Sequence, residues 1–269
     1  MPVDPEKTSV CPQGHPVAQV AVRVTGSLSQ QEDIPAIGYV AHTEVPSNFV
    51  SWSTEYPGYE PIGFTDKTVL VAEDQVLADS SNASAVDFSN RSSFVGYSID
   101  PDTNRPLNPR GRTGVAERGL LWKWGPNHAA DPVVIATDND GNRKILLIKR
   151  KDTGEWALPG GMVDPGEHVT IAAKRELGEE SGVNLYEASA EKIYSGYVDD
   201  PRNTDNAWVE TVASLIEIDH TPETNAGDDA AEAVWFNVDS IEQLERETGG
   251  LYASHADIIQ GALDKLGTR

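Results

Sequence analysis

The sequence predicts an α+β protein in two parts: a smaller β-rich domain with its connector over residues 1–117, and a mixed α/β domain over residues 118–269. Three observations support this. A chain of 269 residues is longer than one hydrophobic core usually serves. Before residue 117, β-branched runs alternate with Pro- and Gly-rich segments such as Ser53–Phe64, "STEYPGYEPIGF". From Pro132 onward, apolar strand patterns alternate with stretches of helical spacing.

In the first part, Pro16–Val24 ("PVAQVAVRV") and Lys67–Ala72 ("KTVLVA") read as strands, and the small polar run Ala78–Ser93 reads as loop. The connector Asp100–Gly119 gathers Arg105, Arg110, Arg112 and Arg118 in a chain of formal net charge −22. Either these arginines dock a linker through ion pairs, or some of them face an anionic ligand.

In the second part, Pro132–Lys151 holds two apolar strands around the Gly-containing turn Asp138–Asn142. Further strands are expected over Lys192–Asp200, Ala207–Ile218 and Ala231–Asp239. A closing helix fits Tyr252–Gly267, with Ala253, Ala256, Ile259 and Leu263 on one stripe. Trp156 is expected in the core.

The net charge of −22 opposes binding to nucleic acid or to anionic membranes. For an anionic substrate it makes a local cationic device necessary. No run of 18 apolar residues is present, so no membrane-spanning helix is expected. Residues 1–16 lack both the apolar core of a signal peptide and the Arg-rich character of a transit peptide, which points to the cytosol, or to mitochondria if a transit peptide has been removed. Cys11 is the single cysteine; it excludes an internal disulfide and suits a reducing compartment. Cys11 and His15 form only half of a zinc pattern.

The chemistry concentrates in Gly160–Val183, "GGMVDPGEHVTIAAKRELGEESGV". Pro165 and Gly166 break the chain, and Glu167 suits the first turn of a helix. Val169, Ala172, Ala173 and Leu177 recur at helical spacing, and Gly182 can end the helix. Glu176, Glu179 and Glu180 then lie at i, i+3 and i+4 as neighbours on one face. Their mutual repulsion is offset either by solvent or by a hard cation such as Mg²⁺ or Mn²⁺, which favours carboxylate oxygens.

Gly161, then Glu167, then Arg175-Glu176-Leu177-Gly178-Glu179-Glu180, then Gly182-Val183 resembles the Nudix box at every defined position. Gly154–Glu167, Gly196–Thr211, Ala226–Ala230 and Leu251–His255 resemble the ADP-ribose pyrophosphatase branch of that family. So do Trp52–Pro61 and Asn108–Pro132. The branch includes stand-alone enzymes and the homologous domain of a melastatin-type, ADP-ribose-gated cation channel.

The resemblance implies an α/β/α sandwich with a mixed sheet, preceded by a β-rich domain. It implies Mg²⁺-dependent hydrolysis of ADP-ribose to AMP and ribose 5-phosphate, with Mn²⁺ able to substitute. Glu176, Glu179 and Glu180 would hold metal, and Arg175 would orient a glutamate. Asp200, Arg202, Asp228, Tyr252 and His255 would line the ligand. Read from its neighbours alone, Arg202 anchors Asp199 or Asp200. The alternative implied function is an ADP-ribose sensor attached to the rest of a channel polypeptide, and channel domains that have lost turnover depart from the Arg-Glu-Leu-x-Glu-Glu core that is intact here. A box glutamate and a carboxylate from a later loop are both reasonable general bases.

Overall fold

The structure is a computed structural model that describes residues 42–138, 140–227 and 229–267. The Pro16–Val24 run, Cys11, His15 and Asp228 lie outside the described residues.

Two long strands organise the fold: β5 (Gly125–Thr137) and β10 (Ala207–Ile218) run parallel through twelve paired positions, from Ala207 opposite Gly125 to Ile218 opposite Ala136. Most of their residues are buried, as expected of central strands covered on both faces. β6 (Arg143–Arg150) joins β5 antiparallel through the Asp138–Asn142 turn, β11 (Ala230–Asn237) closes one edge on β6, and β9 (Glu191–Tyr197) closes the other on β10. The sheet is mixed, as expected.

Beyond their shared turn, β5 and β6 part. β6 pairs instead with the short β7 (Trp156–Ala157), and β5 with the short β8 (Gly161–Met162). The loop Leu158–Gly160 therefore lies in a fork between two central strands.

Alternation along β5 decides what covers each face. Val134 packs with Leu146, Ile216 and Leu177 of helix α2 (Val169–Ser181). Val133 and Ile135 face the other way, onto Leu244 of α3 (Ile241–Thr248) and Ile258, Ile259 and Leu263 of α4 (His255–Gly267). This is the α/β/α sandwich that the resemblance implied.

Several elements differ from the sequence reading. Lys67–Ala72 is not a strand: α1 spans Lys67–Asp74. Asp66 caps it by accepting the Thr68 N–H at 2.8 Å, and Val69 and Ala72, three apart, are its buried positions. β-Branched composition lost to a good cap and a helical burial period. α3 was not anticipated; its N-cap is Ser240 and Gly249 ends it in the left-handed region at φ 78°. In α4 the buried stripe is His255, Ile258, Ile259, Ala262 and Leu263. Ala253 stands outside the helix with φ 48°, so the expected register was displaced. Trp156 is half-buried against the core, edge-on to Phe236.

Three of the four connector arginines are docked, and the fourth, Arg110, is exposed beside an aromatic ring. Arg118 is fully buried, pairing with Glu73 at 2.7 Å and bonding the Asp79 carbonyl. Arg112 donates to the carbonyls of Phe49 and Ser51 and lies 4.7 Å from the Trp52 ring centroid. Arg105 pairs with Glu117 at 3.7 Å, and Arg110 sits 5.5 Å from the Tyr197 ring. Other connections reach the strand ends directly: Tyr59 donates to Asp205 at 2.7 Å. Among the described residues no helix is long and apolar enough to cross a membrane.

Candidate active site

Helix α2 begins at Val169 with His168 as N-cap and ends at Gly182, whose φ of 72° is the left-handed conformation that glycine adopts readily. Ala172, Ala173 and Leu177 seat it on the sheet. Its three acids meet three different environments. Glu180 is 8% exposed, Glu176 is half-buried, and the Glu179 side chain is 57% exposed. The shared helical face expected from spacing is thus graded from core to solvent.

Arg175 holds the acidic group together. Its guanidinium donates to Glu167 at 2.9 and 3.0 Å, to Glu176 at 2.7 Å and to Glu179 at 2.9 Å, and also to the Met162 carbonyl. Glu167 lies just ahead of the helix rather than in its first turn. It accepts the Asp164 N–H at 3.1 Å, and the Arg175 bonds hold its carboxyl below the usual range. Arg175 itself is held more firmly protonated, chiefly by Glu167. Burial raises the Glu176 carboxyl despite Arg175.

Glu180 reaches into the fork between β5 and β6, where it accepts the Gly160 N–H at 2.8 Å. Burial pushes its carboxyl up to about 7. A side chain at Gly160 would collide with Asp131 and the Ala130 carbonyl, and one at Gly161 would collide with the Glu176 carboxylate. Both glycines are therefore set by close approach. Asp131, on β5, is buried and accepts the Thr211 hydroxyl at 2.7 Å; desolvation lifts it to about 6. The loop after β10 crosses the end of α2, with Gly227 N–H donating to the Glu180 carbonyl at 3.1 Å.

A second cluster faces the fork from the far ends of the strands. Arg202 grips Asp200 with two bonds, Nε to Oδ1 and Nη2 to Oδ2, both at 2.8 Å. Asp200 is 5% exposed; burial pushes its carboxyl up, but the Arg202 contacts outweigh burial and hold it low. The Tyr252 hydroxyl donates to Asp200 at 3.3 Å, and the Arg150 guanidinium lies 4.3 Å from the Tyr252 ring centroid. Arg150 is in turn clamped by Asp152 at 2.6 and 3.0 Å.

His255, first residue of α4, is 7% exposed and accepts the Leu158 N–H on Nδ1 at 2.9 Å. Burial drops it to about 4, so it is neutral at pH 7 with its proton on Nε2.

Of the sequence-predicted residues, Arg175, Glu176, Glu179 and Glu180 form one group and Asp200, Arg202, Tyr252 and His255 another; Asp228 is outside the described residues. Arg202 acts as the anchor for Asp200. Among the described residues no three acids or histidines converge as a ready-made metal site, and Glu179 is bonded to Arg175. Sequence reasoning missed Asp131 and Arg150. Asp131 stands just ahead of the run Pro132–Lys151 that was read as strand, and it proves to lie in the middle of β5, where spacing along the chain gives no sign of its burial.

Comparison with known proteins gives the family. The NUDIX domain model matches residues 126–257, and the model of the NUDT9-like N-terminal domain matches residues 45–125. Nudix hydrolase 6 of Caenorhabditis elegans is 46% identical over 236 residues, covering 80% of this chain and 87% of that protein. The mitochondrial ADP-ribose pyrophosphatase of Rattus norvegicus is 41% identical over 270 residues, covering 84% and 74%. A transient receptor potential cation channel subfamily M member-like 2 of Nematostella vectensis is 40% identical over 260 residues, 80% of this chain but 16% of the channel. The box, its helix, the mixed sheet and relatives matched over most of their length leave one assignment: the chain is a Nudix hydrolase.

Proposed function

We propose that the chain hydrolyses the pyrophosphate of ADP-ribose, giving AMP and ribose 5-phosphate, and that it uses Mg²⁺, with Mn²⁺ able to substitute. The observation that carries the reading is the juxtaposition at the Leu158–Gly160 fork. Buried box carboxylates stand on one side of it and the Asp200–Arg202–Tyr252 cluster on the other. The similarity to an ADP-ribose pyrophosphatase over 84% of the chain supports the substrate.

The residues fit a divalent cation. Glu176 and Glu180 are hard oxygen donors whose carboxyls burial raises, so a nearby dication would relieve a cost already present. Glu176, Glu179 and Glu180 would hold it. When bound, such an ion neutralises phosphate charge and lowers the pKa of water.

The chain's own groups do the rest. Gly160 N–H fixes one Glu180 oxygen, and Arg175 fixes Glu167 and Glu176. Arg202 keeps Asp200 ionised as an acceptor for ribose hydroxyls, and Tyr252 adds a ring and a hydroxyl beside it. His255 offers an Nε2–H donor, because Leu158 occupies Nδ1. A box glutamate or a carboxylate of the later loop takes the proton from the attacking water.

The test is a product assay. ADP-ribose with Mg²⁺ yields AMP and ribose 5-phosphate from the wild type, and neither from the Glu179→Gln/Glu180→Gln double variant. ADP-ribose that binds but stays intact would favour a second reading, a sensor domain of a channel polypeptide, which the 40% identity to the Nematostella channel motivates. A single cysteine suits the cytosol and the mitochondrial matrix alike.

A further inference from the structure

On the sheet face that carries α2, Ala130 pairs with Gly161, and the Glu176 carboxylate lies over Gly161. Ala130 packs on Ala172 and Ala173 of the same helix. His128 lies two residues back along β5, hence on the same face and about 7 Å from Ala130. Its carbonyl accepts the Val163 N–H, so it borders the first turn of the box loop.

Opposite His128 on β10 stands Glu210, fully buried. Its carboxylate lies 3.9 Å from His128 Nε2. It accepts the Ser93 hydroxyl at 2.5 Å, the Phe94 N–H at 2.6 Å and the Trp208 indole N–H at 2.9 Å. A buried carboxylate with three donors is a rigid clamp. What it holds is the loop that presents Phe94. That side chain is 44% exposed, and its ring leans on His128 with centroids 5.1 Å apart. Of the three exposed aromatic side chains among the described residues, Phe94, Trp122 and Tyr186, it is Phe94 that leans, tilted by 55°, on a residue bonded to the box loop.

We propose that Phe94, propped by His128 and fixed by the Glu210 clamp, is the platform on which the nucleobase of the substrate stacks. This rests on the proposed nucleoside-diphosphate substrate and deepens it. A flat ring open to solvent, leaning on a residue whose carbonyl bonds the box loop at Val163, suits a purine better than an aliphatic group. It also gives the N-terminal part of the chain a role in recognition: Phe94 comes from residues 45–125, and the box from residues 126–257.

The experiment is steady-state kinetics on the full chain with ADP-ribose and with a base-free substrate, two ribose 5-phosphates joined through a pyrophosphate. Phe94→Ala raises KM for ADP-ribose about tenfold with kcat nearly unchanged. It leaves the base-free KM alone, and Phe94→Trp restores the ADP-ribose value. Equal changes for both substrates, or none for ADP-ribose, would overturn the platform. If the wild type turns over neither substrate, the hydrolytic reading falls. Calorimetric titration with ADP-ribose then decides the platform: a Kd weakened about tenfold by Phe94→Ala upholds it, and an unchanged Kd or no binding overturns it.

Discussion

The box helix and the Asp200 cluster are both charged and both line the fork, yet they are built on opposite principles. On α2 the acids outnumber the one cation that reaches them: Lys174 turns away to the Tyr186 and Ala188 carbonyls, Arg175 serves Glu167, Glu176 and Glu179 at once, and Glu180 is left with a backbone N–H. Around Asp200 the charges are matched, Arg202 with Asp200 and Arg150 with Asp152. The first region carries unrelieved repulsion and desolvation. The second is already neutral. A site that must attract a cation keeps excess negative charge, whereas one that must present donors and acceptors in fixed positions neutralises itself first.

That contrast can be broken at its matched end. Arg202→Ala leaves Asp200 buried and unpaired, and is expected to destabilise the fold by about 3–5 kcal/mol, read by denaturant unfolding. A loss below about 1 kcal/mol would mean that the pair is exposed in solution.

At the excess-charge end the sign reverses. An acid whose folded pKa is raised loses stability as pH climbs from its unfolded value, near 4.5, to its folded value, about 7 for Glu180. This is worth about 3 kcal/mol. Without metal, Glu180 therefore contributes less stability at pH 8 than at pH 5, buried His255 contributes with the opposite sign, and Mg²⁺ restores part of the Glu180 difference. Glu180→Gln removes much of that slope while lowering kcat about a hundredfold or more. Thermal melts at the two pH values, with and without Mg²⁺, read it; a slope unchanged in the variant would place the titration elsewhere.

Arg175→Ala tests whether one cation organises the group. Turnover should fall by about ten- to a hundredfold as Glu167 and Glu176 lose their orientation, and Arg175→Lys should recover little, because a single ammonium cannot serve three carboxylates. The smallest effect belongs to the helix end. Gly182→Ala forces a side chain into the left-handed region beside Asn225, at about 1–2 kcal/mol by chemical unfolding, with kcat less affected than stability.

Periodicity made much of this legible. The strands Ala207–Ile218 and Ala231–Asp239 were visible as apolar runs, and the box helix as a stripe ending in glycine. Lys67–Ala72 misled because β-branched composition is a weak prior beside a capped turn and its packing. The α4 stripe slipped because Ala253 and Ala256 suit either face, and only the docking of Ile258 and Leu263 chose one.

The sequence by itself determined which acids share a helix, since a 3.6-residue repeat puts Glu176, Glu179 and Glu180 together whatever surrounds them. Tertiary structure alone decided which of them is buried. It also set which histidine nitrogen is occupied, and that Asp131, Gly160 and Glu180 meet. Those relations join strands, loops and helices far apart in the chain. Desolvation and hydrogen-bond partners depend on neighbours in space, which spacing along the sequence does not encode.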